Sequence, residues 1–131
     1  MKPIGYWLRH VHELIETSFG EALATESLTR RHWQVLNTIA LGARTLEDLD
    51  TALAPFVVEE GSMAPIVADL RGRGWVSDFA LTDEGRVAHA RVEEQVKGMR
   101  ERIRDGISDD DYVTTVRTLE RCAANLEALT K

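Results

Sequence analysis

The sequence is poor in cysteine, proline, aromatic residues and long apolar runs, and each scarcity excludes something. Cys122 is the only cysteine, so no disulfide can form within the chain and the stapled class of small secreted domain is excluded. No apolar run approaches the roughly 18 residues of a membrane span. The opening MKPIGYWLRHVHELIE carries charges inside its apolar pattern, which reads as neither a signal peptide nor an anchor. Basic side chains are the minority, with 16 Lys and Arg against 22 Asp and Glu, a net charge of −6. It divides as −2 over residues 1–28, −3 over 29–86 and −1 over 87–131. No segment is basic, which counts against non-specific nucleic-acid binding while leaving room for a locally basic face. There is no nucleophile–base–orienter set, metal-ligand spacing or phosphate-cradling glycine loop. We therefore expect a cytoplasmic protein without enzymatic activity, cofactor or metal.

What is present is helical periodicity. The 131 residues suffice for one core. Ile4, Trp7, Leu8, Val11, Leu14, Ile15, Phe19 and Ala22 recur at steps of three and four, giving an amphipathic helix over about residues 4–24. Thr29 offers an N-cap for a second helix with Trp33, Leu36, Ile39 and Ala40 inside, stopped by Gly42. Thr45-Leu46-Glu47-Asp48 reads as a capping box for a short third helix, closed by Pro55. Ser62 is the expected N-cap of a fourth, which puts Pro65 in the first turn, where its missing N–H has no consequence. Trp75–Ser77 and Phe79–Leu81 are strand candidates around a turn at Ser77-Asp78. Thr82 then caps a long helix with Ala88, Val92, Val96, Met99 and Ile103 along one side. Ser108 with three acids starts a last one, carrying Tyr112, Val116, Leu119, Ala123 and Leu126.

The fragments LTRRHWQVLNTIALG (Leu28–Gly42), TLEDLDTAL (Thr45–Leu53), DLRGRGWV (Asp69–Val76) and LTDEGR (Leu81–Arg86) resemble, in this order and spacing, the MarR family. The resemblance covers nearly the whole chain. It implies a mainly α fold, a winged helix–turn–helix with a short two-stranded wing, flanked by N- and C-terminal dimerisation helices. Residues 1–131 would form a single domain, with 1–27 and 87–131 as dimerisation helices and 28–86 as the winged core. It implies a homodimeric, ligand-responsive transcriptional regulator that binds a pseudo-palindromic site on double-stranded DNA and is released by a small aromatic or lipophilic ligand.

The residues expected on DNA are Ser62, Ala64 and Pro65 on the recognition helix, with Arg71 and Arg73 at its far end and Arg30, Arg31 and Arg44 reaching the backbone. Arg71 and Arg73 read equally as solvated helix ends, and Arg86 reads more readily as one. Several features depart from the family. The wing tip is nearly reduced to Ser77-Asp78 and bears an acid, the recognition helix lacks an arginine able to pair with guanine, Glu59 and Glu60 precede it, and Asp50 stands where a small residue is usual. These leave a second reading open, a winged-helix scaffold serving as a protein-interaction or ligand-binding module.

Tyr6, Trp7, His10 and Trp33 form a candidate group for a planar acid, or else Trp7 and Trp33 are core and the histidines lie on the surface. His10 and His12, two residues apart, cannot share a helix face to chelate a metal. Cys122 lies beside an apolar stripe, either as a small hydrophobe or as a thiol that would need positive neighbours to sense oxidants.

Overall fold

The computed structural model describes residues 1–130, which fall into two compact units, Met1–Lys97 and the residues from Gly98 onward. The first unit opens with helix α1 (Ile4–Leu23), followed by a single 3₁₀ turn (Ala24–Glu26). Only the C-terminal end of α1 is buried, through Phe19 and Leu23. Ser27, with φ 55°, and the N–H of Leu28 bonded to Leu23 O then turn the chain into α2 (Arg30–Ala40).

Thr29 caps α2 as expected, and the cap is reciprocal. Its Oγ accepts the His32 N–H at 3.3 Å, while His32 Nδ1 accepts the Thr29 N–H at 3.3 Å. A histidine thus does the work usually given to glutamate at the third helical position. One side of α2 is then apolar, with Trp33, Val35, Leu36 and Ile39 buried, and the helix packs against the later one in which Val67 and Leu70 are buried. Burying each such side chain stabilises the fold by roughly 1.5–3 kcal/mol.

The capping box at Thr45 forms as the sequence predicts, opening α3 (Leu46–Ala52). Beyond it the expectation needs correction. Pro55 does not merely close α3; it lies in the first turn of a further helix, α4 (Ala54–Glu60), since proline is accepted where no intrahelical donor is required. Gly61, with φ 91°, ends α4 in a conformation that suits glycine. The next helix, α5, runs Ala64–Gly72 with Pro65 in its first turn as foreseen, but its N-cap is Met63 rather than Ser62.

Strands β1 (Val76–Ser77) and β2 (Ala80–Leu81) pair antiparallel with Ser77 opposite Ala80. The connecting residues are therefore Asp78 and Phe79, one place later than predicted, and Asp78 takes the positive φ of 54° that a two-residue hairpin loop demands. Helix α6 (Asp83–Ile103) follows, with Thr82 Oγ accepting the Gly85 N–H at 2.9 Å. Ala88, Val92, Val96 and Met99 are buried along it, whereas Ile103 is exposed. The second unit is completed by α7 (Asp109–Leu129), capped by Ser108. No residue of α7 is buried, and Tyr112, Val116 and Leu126 of the expected apolar stripe lie open. No helix among the described residues is long and apolar enough to cross a membrane.

Candidate nucleic-acid interface

Helices α3 and α5, joined through α4, make the helix–turn–helix of the first unit, with α5 as its second helix. Asp50 of α3 fixes where α5 begins. Its Oδ1 accepts the Met63 N–H at 2.9 Å and its Oδ2 accepts the Ser62 hydroxyl at 3.0 Å. Ser62 Oγ in turn accepts the Ala64 N–H at 3.2 Å. The departure noted in the sequence at Asp50 is thus a capping device, which satisfies first-turn donors that the helix itself leaves unpaired. It also engages Ser62, a residue expected on DNA, whose hydroxyl proton is given to the Asp50 carboxylate.

Met63, Val67 and Leu70 of α5 turn into the core. Ala64, Pro65, Ala68, Asp69, Arg71 and Gly72 are exposed. Ala64 and Pro65 were expected on this face. Ala68 was missed, although it lies four residues after Ala64 and so on the same side. The stretch Ala64, Pro65 and Ala68 is low and uncharged, with Asp69 and Arg71 towards its end. Arg71 donates through Nε and Nη2 to the Asp78 carbonyl at 3.1 and 2.9 Å, and its guanidinium lies 4.9 Å from the Phe79 ring centre. The wing tip is thereby pinned to the end of α5.

The other arginines separate into free and engaged. Arg44 is exposed, and its guanidinium donates to the neighbouring Ala43 carbonyl at 3.0 Å. Arg30 donates to Glu16 at 2.6 Å and is largely covered. Arg73 reaches back to the carbonyls of Glu26 and Ser27, at 2.9 and 2.6 Å, and to Asp69 at 3.1 Å. Arg31 is only 7% exposed. It donates to Glu60 and Glu16, both at 2.7 Å, and to Gln34, while its guanidinium stacks 3.8 Å from the Phe56 ring centre. Arg31, Arg30 and Arg73, expected on phosphates, are thus each engaged by acceptors within the fold.

Glu16 shows the electrostatics of this network. Burial pushes its carboxyl up, and the hydrogen bonds and charges of Arg30 and Arg31 outweigh that, holding it below the ordinary value of 4.5. In the same first turn of α2, His32 Nε2 lies 2.9 Å from Asp69 Oδ2. With Nδ1 beside Thr29 and Nε2 beside Asp69, the ring ties the start of α2 to α5.

The candidate ligand group does not assemble. Tyr6, Trp7 and His10 contact one another near the start of α1 and are exposed. Trp33 is buried and stacks on His89 instead, ring centres 5.1 Å apart at 25°. A cavity of about 670 Å³ lies beside α1, lined by Arg9, His12, Glu13, Glu16, Thr17 and Glu59, so that none of the four candidates borders it. Its three carboxylates suit an organic acid poorly. No group of His, Cys, Asp and Glu among the described residues is arranged to hold a metal ion.

No family model matches the chain, and no curated protein does. Solved structures match it over nearly its whole length. A MarR-family transcriptional regulator from Rhodococcus sp. RHA1 is 23% identical, covering 92% of this chain and 91% of its own, with a TM-score of 0.77. CouR from Rhodococcus jostii RHA1, bound to p-coumaroyl-CoA, is 22% identical over 93% and 92% of the two chains, with a TM-score of 0.80. A MarR-family protein of Mycobacterium tuberculosis in complex with DNA is 22% identical over 93% and 98%, with a TM-score of 0.72. The winged helix–turn–helix built above, with its short wing pinned to α5, is the fold of the MarR-family transcriptional regulators.

Proposed function

We propose that this chain is a cytoplasmic, non-enzymatic transcriptional regulator of the MarR type, one domain per subunit, acting on double-stranded DNA as a homodimer. The observation that carries this reading is the outward face of α5: Ala64, Pro65 and Ala68 leave room for close approach to a groove, and Arg71 stands at the rim. The likeness to a M. tuberculosis protein solved with DNA supports it. The two copies of α5 would enter successive major grooves about 34 Å apart. Base contacts are limited to the thymine methyls that alanine and proline can touch, so affinity comes mainly from phosphates. Exposed apolar side chains on α1 (Ile4, Trp7, Leu8, Val11) and on α7 (Tyr112, Val116, Leu126) favour a dimer.

Control by a small ligand is part of the proposal. CouR is solved with p-coumaroyl-CoA, and BpsR of Bordetella bronchiseptica is described as regulated in DNA binding by 6-hydroxynicotinic acid. A second reading, a protein-interaction module without DNA, draws support from the internal engagement of Arg30, Arg31 and Arg73 and from the acid at the wing tip.

Fluorescence anisotropy of labelled upstream DNA, titrated at two salt concentrations, separates the two. The regulator gives saturable, salt-sensitive binding that outcompetes random DNA, and Arg71→Ala weakens it about tenfold or more. Absence of binding at low salt supports the interaction module instead.

A further inference from the structure

A second cavity, of about 480 Å³, opens in the first unit between the C-terminal end of α2, strand β2 and the first turns of α6. Its size is that of a small-molecule site. Arg44 and Arg86 bring two guanidinium groups to it, and among the described residues no carboxylate lines it. In a chain whose acids outnumber its bases, that lining is selective. Ile39 and Leu81, with the methyls of Ala40 and Ala80, supply an apolar remainder. The third polar wall is His89, held in place by its stack on Trp33 and by Nε2 lying 2.9 Å from Asn37 Oδ1.

The two arginines differ in freedom. Arg86 is oriented by the Leu81 carbonyl at 3.1 Å and by Asp83. Arg44 donates through one nitrogen to Ala43 and has its remaining donors open.

We propose that this cavity binds a compact organic oxyanion, a carboxylate or phosphate carried on a small apolar body. The oxygens sit between Arg44 and Arg86, and the body rests on Ile39 and Leu81. A planar guanidinium suits such a group because it offers paired N–H donors. Arg44 also immediately precedes Thr45, the N-cap of α3, and in the DNA-binding reading it contacts a phosphate. An anion in the cavity and the DNA backbone then compete for one guanidinium. That competition rests on the DNA-binding reading; the anion site does not.

The test is calorimetry on the full chain without DNA, using benzoate, phenyl phosphate, inorganic phosphate and benzylamine, with the His89 ring signals followed by NMR. Benzoate and phenyl phosphate give saturable heat and move the His89 signals, and benzylamine does neither. Arg44→Gln, an exposed change that keeps the fold, weakens both about tenfold. Ala40→Trp fills the cavity and abolishes binding. The proposal is overturned if no saturable heat appears by about 10 mM benzoate, or if both variants bind as the wild type does. Inorganic phosphate binding as tightly as phenyl phosphate would overturn the apolar half. Adding benzoate to the DNA titration then tests competition: the midpoint rises in the wild type and not in Arg44→Gln. A protein that binds benzoate but no DNA retains the anion site and loses the regulator reading.

Discussion

A guanidinium presents five N–H donors in a rigid plane, and Arg31 uses that plane to join three helices. Glu16 belongs to α1, Gln34 to α2 itself, and Glu60 and Phe56 to α4, whose end leads directly into α5. Nothing local in the sequence shows this, because Glu16 lies 15 residues before Arg31 and Glu60 29 after it. In sequence the pair Arg30-Arg31 therefore reads as a basic surface. Replacing Arg31 by leucine keeps the volume and strands Glu60 and part of Glu16. Those carboxylates are partly solvated, so the loss falls at the lower side of a broken buried pair, about 2–4 kcal/mol, measured by urea unfolding at pH 7. The difference should also depend on pH. The folded-state carboxyl of Glu16 lies below its ordinary value of 4.5, so its contribution is complete above that value and is lost as pH falls through the depressed one. The gap between wild type and Arg31→Leu thus narrows as pH falls below 4.5. A gap independent of pH would mean that packing on Phe56, not the ion pairs, dominates.

At the scale of elements, the caps were legible and the joints were not. Thr29, Thr45 and Ser108 each cap the helix their spacing predicts, because a cap is a contact within four residues. Helix α4 was hidden because Pro55 ends one helix and begins another with the same property, a fixed φ and no donor. The Asp50 clamp on Met63 joins residues 13 apart and was visible only as a departure from a family pattern. The joint between wing and α6 is another case. Thr82 donates its N–H to the Trp75 carbonyl at 3.0 Å and its hydroxyl to the Gly74 carbonyl at 2.6 Å, drawing the first turn of α6 onto the backbone before β1. A Cβ at Gly85 would stand 1.9 Å from the Trp75 carbonyl oxygen. Since that obstacle is backbone, Gly85→Ala must displace the wing or the helix, at a cost of about 1–3 kcal/mol. Thermal unfolding measures it, and hydrogen exchange at Thr82 shows whether the joint opens. An unchanged Tm would mean that wing and helix separate at this point without cost to the fold.

For the whole molecule, the proposed binding of a polyanion must contend with a net charge of −6. Proteins do so through the charges they leave free, and the structure sorts these within residues 28–86. Arg30, Arg31 and Arg73 are bonded inside the fold, Arg44 and Arg71 are exposed, and Arg86 is exposed but paired with Asp83. A proposed dimer therefore offers four to six guanidinium groups to phosphates, which gives a slope of log K against log salt of about −4 to −5. Were all the arginines of the winged core available, the slope would be about −10. The two values are far enough apart for anisotropy titrations across a fourfold salt range to decide. Arg71→Ala, present once in each subunit, should reduce the magnitude by about 2, whereas Arg31→Gln should leave the slope unchanged even as it weakens the fold. A slope near −10 would show that the internal ion pairs open on DNA. A slope near zero would leave the free arginines without a polyanion to serve, and would move the α5 face from a groove-reading surface to one that receives another protein.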